Sequence, residues 1–144
     1  MKEKGFSLVE CVLVILLVGL LSMTVMIGNK YIKKARFKGK VNEIVQCIEY
    51  AKNAGARTGR FYSVLSYGKV VYVIANNHVI YKVPLDEDMY FDKQMTGTWI
   101  RFRGTVATAG KGGTIRLEQK GQEEYARITI VPVTGKVRVY YEHS

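Results

Sequence analysis

Apolar residues follow two helical patterns in the first 57 residues of the chain. Residues 11–28 form an uncharged run of 18 residues, CVLVILLVGLLSMTVMIG, which is long enough for a transmembrane helix. In residues 29–57 apolar side chains recur at spacings of three and four among charged ones, which indicates an amphipathic helix. We expect one helix over roughly residues 6–56, stopped by Gly55 and Gly59, with its second half packed on a sheet. The packed face should contain Tyr31, Ala35, Val41, Ile44, Val45, Ile48, Ala51 and Ala54.

From Phe61 onward the apolar positions alternate with polar ones, which predicts strands. The strand segments are FYSVLSY, KVVYVIA, HVIYKVP, WIRFRGT, GTIRLEQ, ARITIVPV and KVRVYYE. Tight turn signals such as ANNH and VTGK separate them and favour antiparallel pairing. The segment DEDMYFDKQMTG is less regular and is predicted to be a surface loop. The predicted fold class is therefore α+β, with a long N-terminal helix packed on an antiparallel β domain.

The formal net charge of +10 is concentrated beside the apolar run, because residues 30–60 hold nine Lys and Arg against two Glu. A belt of this kind attracts anionic lipid headgroups or the acidic residues of neighbouring subunits. The apolar run is too long for an ordinary secretory signal, and the basic sequence after it lacks a small-residue cleavage site. A plain membrane anchor explains the run but not Glu10. By the positive-inside rule alone, the C-terminal side would lie in the cytoplasm.

The apolar run is preceded by K-G-F-S-L-V-E at residues 4–10. This stretch resembles the processing motif of type IV prepilins and pseudopilins. The resemblance implies that a prepilin peptidase cuts between Gly5 and Phe6 and that Phe6 then becomes the methylated N-terminus. It also implies a pilin-like fold with four parts: a leader at 1–5, a transmembrane and assembly half of the helix at 6–28, an amphipathic half at 29–57, and a globular β domain at 58–144.

Glu10 is the predicted assembly residue of this motif. An ionisable residue at a membrane-embedded position is costly and usually marks function. Its natural partner is the α-amino group of Phe6, either about one helical turn away in the same chain or in a neighbouring subunit. Between subunits, the wrong axial register would leave both charges unpaired in an apolar core, so the pair would select the register.

The second half of the chain carries a looser resemblance, in W-I-R-F-R-G, G-K-G-G-T-I and T-G-K-V-R-V. These stretches resemble the GspH/FimT group of minor pseudopilins, to which ComGD-like competence pseudopilins are similar in size and leader. The matching positions are Phe102, Gly104, Gly113, Thr114, Ile115, Gly135, Lys136 and Arg138.

The resemblance implies a minor pilin or pseudopilin subunit of a type IV filament system, serving competence and DNA uptake or type II secretion-like export. The implied partners are the prepilin peptidase, other major and minor pilins, the inner-membrane assembly platform and membrane lipid. The implied location is a single-pass position in the cell membrane with the C-terminal domain outside the cytoplasm, and a surface filament after assembly. The alternative function is a DNA-binding tip subunit that captures DNA through its basic C-terminal strand. An unprocessed membrane-anchored domain unrelated to filaments is a third interpretation.

Four basic residues are candidates for DNA binding. Lys136 and Arg138 share one face of the last predicted strand, and Arg101 and Arg103 alternate with the apolar residues of W-I-R-F-R. If these faces adjoin, cations are interleaved with aromatics, which suits contacts to phosphates and bases. FimT-type proteins are associated with DNA capture through a basic C-terminal tail, although Lys136 stands where Arg is commoner and loses bidentate phosphate geometry. The alternative is a solvated sheet face.

No catalytic or metal-binding pattern accompanies these features. His78 and His143 lie far apart, TAGKGGT lacks the spacing of a phosphate-binding loop, and the acidic run at 86–88 lacks the alternation of a calcium loop. Cys11 and Cys47 would be roughly 54 Å apart on one helix, so they are predicted to be buried free thiols. We therefore expect a protein that is not an enzyme and has no cofactor or metal.

Overall fold

A computed structural model of the chain describes residues 7–92, 99–103, 106–107, 113–132 and 134–143. Helix α1 spans Leu8–Thr58, which confirms the predicted long helix over the described residues. The chain divides into two compact units, Met1–Arg36 and Phe37–Ser144.

The first unit contains the apolar part of α1. Its helix includes an 18-residue window with a mean hydropathy of 2.7, none of it buried, so its length and composition suit a membrane crossing. The Ser22 hydroxyl donates to the Val18 carbonyl oxygen at 2.8 Å, which satisfies this polar group within the helix. Cys11 is exposed, so the prediction of a buried thiol is wrong there, because its described neighbours along the helix are exposed as well.

In the second unit α1 buries one face against the sheets. The buried residues, spaced as one helical stripe, are Phe37, Val41, Ile44, Cys47, Ile48 and Ala51. The predicted face is correct from Val41 onward, but it omits Phe37 and Cys47. Tyr31 and Ala35 were wrongly included, since both belong to the first unit and are exposed.

Two antiparallel sheets follow the helix. Their strands are β1 Tyr62–Tyr67, β2 Val70–Ala75, β3 His78–Pro84, β4 Met89–Phe91, β5 Trp99–Arg103, β6 Val106–Ala107, β7 Gly113–Gln119, β8 Glu124–Ile130 and β9 Val137–His143. The first sheet has the order β3-β2-β1-β5-β6 and the second has the order β4-β7-β8-β9. We call them sheet A and sheet B. The predicted α+β class with antiparallel strands is confirmed.

Strand β4 corrects the prediction of a surface loop over DEDMYFDKQMTG. Met89 and Phe91 are buried, and they pair with Gln119 and Leu117 of β7. The Gln119 side chain also donates to the Asp88 carboxylate at 2.7 Å, which fixes the start of the strand. Three residues are too few for alternation to be recognised, so only the pairing with β7 makes this segment a strand. Residues 93–97 of the segment lie outside the described ones.

One hydrophobic core joins the helix to both sheets. Its largest fully buried side chains come from α1 (Ile44, Ile48), from β5 of sheet A (Ile100, Phe102) and from β8 of sheet B (Ile128, among others). Burying a side chain of this size stabilises the fold by about 1.5–3 kcal/mol relative to leaving it exposed.

Residues with positive φ set the chain reversals beside this core. Gly59, at φ 64°, follows the last helical residue, and its N–H donates to the Gly55 carbonyl at 2.9 Å. Asn76 and Asn77, at φ 51° and 64°, form the turn between β2 and β3, where both central residues of a type I′ hairpin need positive φ. Gly59 therefore ends the helix as predicted, whereas Gly55 lies within it.

Candidate functional site

The described residues of the predicted processing motif, Ser7 to Glu10, lie at the start of α1. Gly5 and Phe6 are outside the described residues. The Ser7 carbonyl oxygen accepts hydrogen bonds from the N–H groups of Glu10, at 2.9 Å, and Cys11, at 3.2 Å. Ser7 therefore precedes the first helical turn, and Glu10 is exposed within that turn.

This position gives Glu10 a local role besides the predicted one. A carboxylate in the first turn interacts favourably with the positive end of the helix dipole. Ser7 and Glu10 also have the S-x-x-E spacing of a capping box, in which Glu or Gln reaches back to the N-terminal backbone. The spacing predicts that Glu10 caps the helix, so an experiment on assembly must separate the charge of Glu10 from helix capping.

The two arginines of β5 share a face with the indole of the same strand. Along W-I-R-F-R, Trp99, Arg101 and Arg103 are exposed, whereas Ile100 and Phe102 are buried in the core. In the sequence, Trp99 and the buried pair alike are interleaved with the cations. The structure shows that Trp99 shares the solvent face with the arginines and that Phe102 does not reach the surface.

Phe61 completes the arrangement on the neighbouring strand. The Arg103 guanidinium lies 5.0 Å from the centre of the Phe61 ring, and the Arg101 guanidinium lies 5.7 Å from that ring and 5.9 Å from the Trp99 ring. β1 pairs with β5 through Tyr62 and Phe102, which brings Phe61 to the level of Arg103. Phe61 is 45% exposed and Trp99 is 52% exposed. We call Phe61, Trp99, Arg101 and Arg103 the β5 cluster.

A cavity of about 280 Å³ opens beside the β5 cluster, toward the turn between β2 and β3. Its described lining contains no carboxylate and consists of Phe61, Ser63, Ile74, Asn76, Asn77, Trp99 and Arg101. Phe61, Asn76 and Asn77 were not predicted to belong to one site. The ANNH turn signal placed the asparagines in a hairpin, but only the pairing of β1 with both β2 and β5 brings them near the arginines.

Lys136 and Arg138 occupy the other sheet. Both are exposed; Lys136 precedes β9, and Arg138 stands opposite Thr129 of β8. The Arg138 Nη1 donates to the Tyr140 hydroxyl at 3.5 Å, so these two residues share one face of β9. The four predicted DNA-binding residues therefore divide between β5 of sheet A and the region of β9 in sheet B, rather than lying on paired strands.

The remaining arginines of sheet B are held in a ladder of charged and aromatic side chains. The Arg116 guanidinium lies 3.7 Å from the centre of the Tyr125 ring, and its Nε is 2.8 Å from a Glu118 carboxylate oxygen. The Tyr125 hydroxyl donates to Glu142 at 2.6 Å, and Arg127 also binds Glu142. The hydrogen bond from Tyr125 lowers the pKa of Glu142, and Arg127 lowers it further. These partners make a structural role the best account of Arg116 and Arg127.

A second cavity, of about 380 Å³, lies between α1 and the edge strand β3. It is lined by Glu43, Gln46, Cys47, Tyr50, Ile80 and Tyr81. Burial raises the pKa of the Cys47 thiol to about 11, with a smaller contribution from the Glu43 charge, so this thiol is a poor nucleophile near neutral pH. Within the described ranges no three His, Cys, Asp or Glu side chains come together as a metal site.

Comparisons with known proteins relate this architecture to one solved structure. A scan against models of protein families finds no match, and a search of curated proteins finds no match either. The chain is similar to the crystal structure of the type IV minor pilin FimU of Pseudomonas aeruginosa strain PAO1, with a TM-score of 0.61 and 13% sequence identity. The similarity covers 75% of this chain and 90% of the FimU chain. With its long N-terminal helix and its antiparallel β domain, the chain has the type IV pilin fold.

Proposed function

We propose that this chain is a minor pilin or pseudopilin subunit that is built into a type IV filament through its N-terminal helix. One observation carries the proposal: on a pilin fold, the apolar window of α1 is wholly unburied within the chain, and Glu10 lies in the first turn. Such a surface requires lipid before assembly and the helices of other subunits afterwards.

The processing motif supplies the route to the filament. Prepilin peptidase would cut between Gly5 and Phe6 and methylate Phe6, which leaves a mature chain whose α-amino group can pair with a Glu10 carboxylate. The other proposed partners are major and minor pilins, the inner-membrane assembly platform and membrane lipid. The C-terminal domain would lie outside the cytoplasm, first on a single-pass anchor and then in a surface filament.

We propose that the filament system to which the subunit belongs is a competence system for DNA uptake or a type II secretion-like exporter. Support comes from the resemblance of W-I-R-F-R-G, G-K-G-G-T-I and T-G-K-V-R-V to the GspH/FimT group, with ComGD-like members. This assignment gives the chain no catalytic step, because the maturation chemistry belongs to the peptidase.

The test replaces Glu10 in cells that carry the chain's own filament system. Glu10→Gln removes the charge but retains an amide that can cap the helix, whereas Glu10→Ala removes both. We expect both variants to lose their leader, as seen by mass spectrometry of the N-terminus, and to fall at least tenfold in sheared filaments. If Glu10→Gln enters filaments like the unaltered chain and Glu10→Ala does not, the residue acts through helix capping and the docking role is wrong.

A second candidate function, capture of DNA through the basic C-terminal strand, is favoured by the exposure of Lys136 and Arg138 on sheet B. The full chain in detergent micelles should bind duplex DNA with log affinity falling by about 0.9 per phosphate contact for each unit of log salt. Lys136→Glu with Arg138→Glu should abolish this dependence. If the double variant binds DNA with unchanged affinity, the C-terminal strand does not bind DNA.

A further inference from the structure

The β5 cluster presents two cations in a fixed arrangement on the outer face of sheet A. Arg101 lies between two aromatic rings, at 5.7 Å from Phe61 and 5.9 Å from Trp99, and Arg103 lies over Phe61 at 5.0 Å. Contacts of this kind between guanidinium groups and rings hold long side chains in place. Each such contact restricts the arginine side chain, which lowers the conformational entropy that it loses when a ligand binds.

The spacing of the cluster suits a linear polyanion. Arg101 and Arg103 are two residues apart on one strand, which separates their Cα atoms by about 6.8 Å along it. That distance is comparable with the separation of successive phosphates in an extended nucleic acid strand. A guanidinium also binds phosphate oxygens through two parallel hydrogen bonds, which a lysine in its place would not do.

The aromatic rings of the cluster add a feature that a simple phosphate site does not need. Trp99 is 52% exposed and Phe61 is 45% exposed, although a folded chain gains by covering such rings. Beside them lies the cavity of about 280 Å³, which also exposes the amide-bearing turn residues Asn76 and Asn77. A planar base can stack on the rings while the amides hydrogen-bond to its edge.

The surface around the cluster is also basic. The carbonyl oxygens of Phe102 and Arg60 both lie within 3.5 Å of the Cβ position of Gly55, so the end of α1 and strand β5 converge. Arg57 and Arg60, both exposed, stand at this end of the helix. They extend the positive surface beyond the two arginines of the strand.

From these observations we propose that the β5 cluster binds single-stranded nucleic acid, with the phosphates on Arg101 and Arg103 and an unpaired base stacked on Trp99. A duplex does not satisfy the same groups, because its bases are stacked on one another and paired. The site is separate from Lys136 and Arg138 and does not depend on how the chain enters a filament.

Trp99 is the one tryptophan of the chain, so its fluorescence reports on this site alone. The full chain in detergent micelles is titrated with an oligothymidylate, with a duplex of equal length, and with an oligomer of abasic deoxyribose phosphate. We expect the oligothymidylate to quench Trp99 and to bind at least tenfold more tightly than the other two. Its log affinity should fall by about 1.4 per unit of log salt, which is 0.7 for each of two phosphate contacts.

Matched variants separate the β5 cluster from general electrostatic attraction. Arg101→Glu with Arg103→Glu and Lys136→Glu with Arg138→Glu change the net charge equally, but on different sheets. The first pair should abolish quenching, and the second should leave it within about twofold. Trp99→Ala, followed with a fluorescently labelled oligothymidylate, should weaken binding by about 5- to 150-fold, the range of one base-to-ring stacking contact. Circular dichroism confirms that each variant is folded.

Several results would overturn the proposal. Equal binding of the abasic oligomer would show that no base stacks in the site. Equal losses in the two charge-reversed pairs would show attraction to the whole basic surface. Displacement of the oligothymidylate by polyglutamate of equal charge, at equal concentration, would identify an acidic protein segment as the better ligand.

Discussion

The backbone oxygen of Phe102 lies 3.3 Å from the position that a Cβ atom would take at Gly55. This close approach brings strand β5 against the last turns of α1, with Phe102 buried beneath it. Because successive residues of a strand point to opposite faces, burying Ile100 and Phe102 turns Trp99, Arg101 and Arg103 outward. The glycine in the helix thus contributes to the position of the β5 cluster.

Gly55→Ala should destabilise the second unit, although alanine is the better helix former. The added methyl group would meet the Phe102 carbonyl at 3.3 Å and the Arg60 carbonyl at 3.5 Å, and backbone atoms on two sides have little room to move. Gly39→Ala is the matched control, because nothing lies within 4 Å of its Cβ position. Gly39→Ala should raise the free energy of unfolding by up to about 1 kcal/mol. Chemical denaturation followed by circular dichroism measures both, and equal stabilisation would show that the helix can move away from β5.

Asn77→Gly should preserve the hairpin between β2 and β3, and Asn77→Ala should destabilise it by about 1–2 kcal/mol. Asn77 has φ 64°, a conformation that glycine adopts freely and that costs alanine about this amount. The unfolding free energies of the two variants measure the difference. An alanine variant as stable as the glycine one would mean that the turn can change its type without loss.

The stabilisation that Glu142 gives sheet B should be lost in acid. Its pKa is lowered from 4.5 in the folded chain, first by the hydrogen bond from Tyr125 and then by Arg127. The unfolded chain therefore binds more protons just below pH 4.5, so the contribution is complete above that pH and disappears as the pH falls through the lower folded pKa. Melting temperatures of the unaltered chain and Glu142→Gln should differ at pH 6 and converge in acid. A difference in melting temperature that stays constant down to pH 2 would show that the charge of Glu142 does not stabilise the fold.

Cys47 should react slowly with thiol reagents in the folded chain. Burial raises its pKa to about 11, so only about one thiol in a thousand is ionised at pH 8. The measurement uses the Cys11→Ser variant and follows iodoacetamide alkylation by mass spectrometry. The rate should rise steeply toward pH 11, and denaturant should accelerate the reaction at pH 8. Fast alkylation at pH 8 without denaturant would show that the cavity between α1 and β3 opens readily.

The sequence by itself determined the helix and seven of the nine described strands, in their order along the chain. The apolar run at 11–28 and the spacings of three and four after it predicted the helix that the structure shows as Leu8–Thr58, and alternation predicted β3 and β7 with their observed bounds. These patterns are local, because a helix or strand repeats its exposed and buried sides every few residues. The motif from Lys4 to Glu10 is local as well, and cleavage after Gly5 stays a prediction.

Only the tertiary structure decided which of these elements are neighbours. The seven predicted strands did not show that the described strands form two sheets. They also did not show that β5 pairs with β1 or that β9 lies in the other sheet. This division separates Arg101 and Arg103 from Lys136 and Arg138, and it brings Phe61 to the arginines of β5. Alternation fixes which residues of a strand share a face but not which strand lies beside it. That choice depends on how the helix and both sheets fill one core, to which residues from Phe37 to Ile130 contribute together.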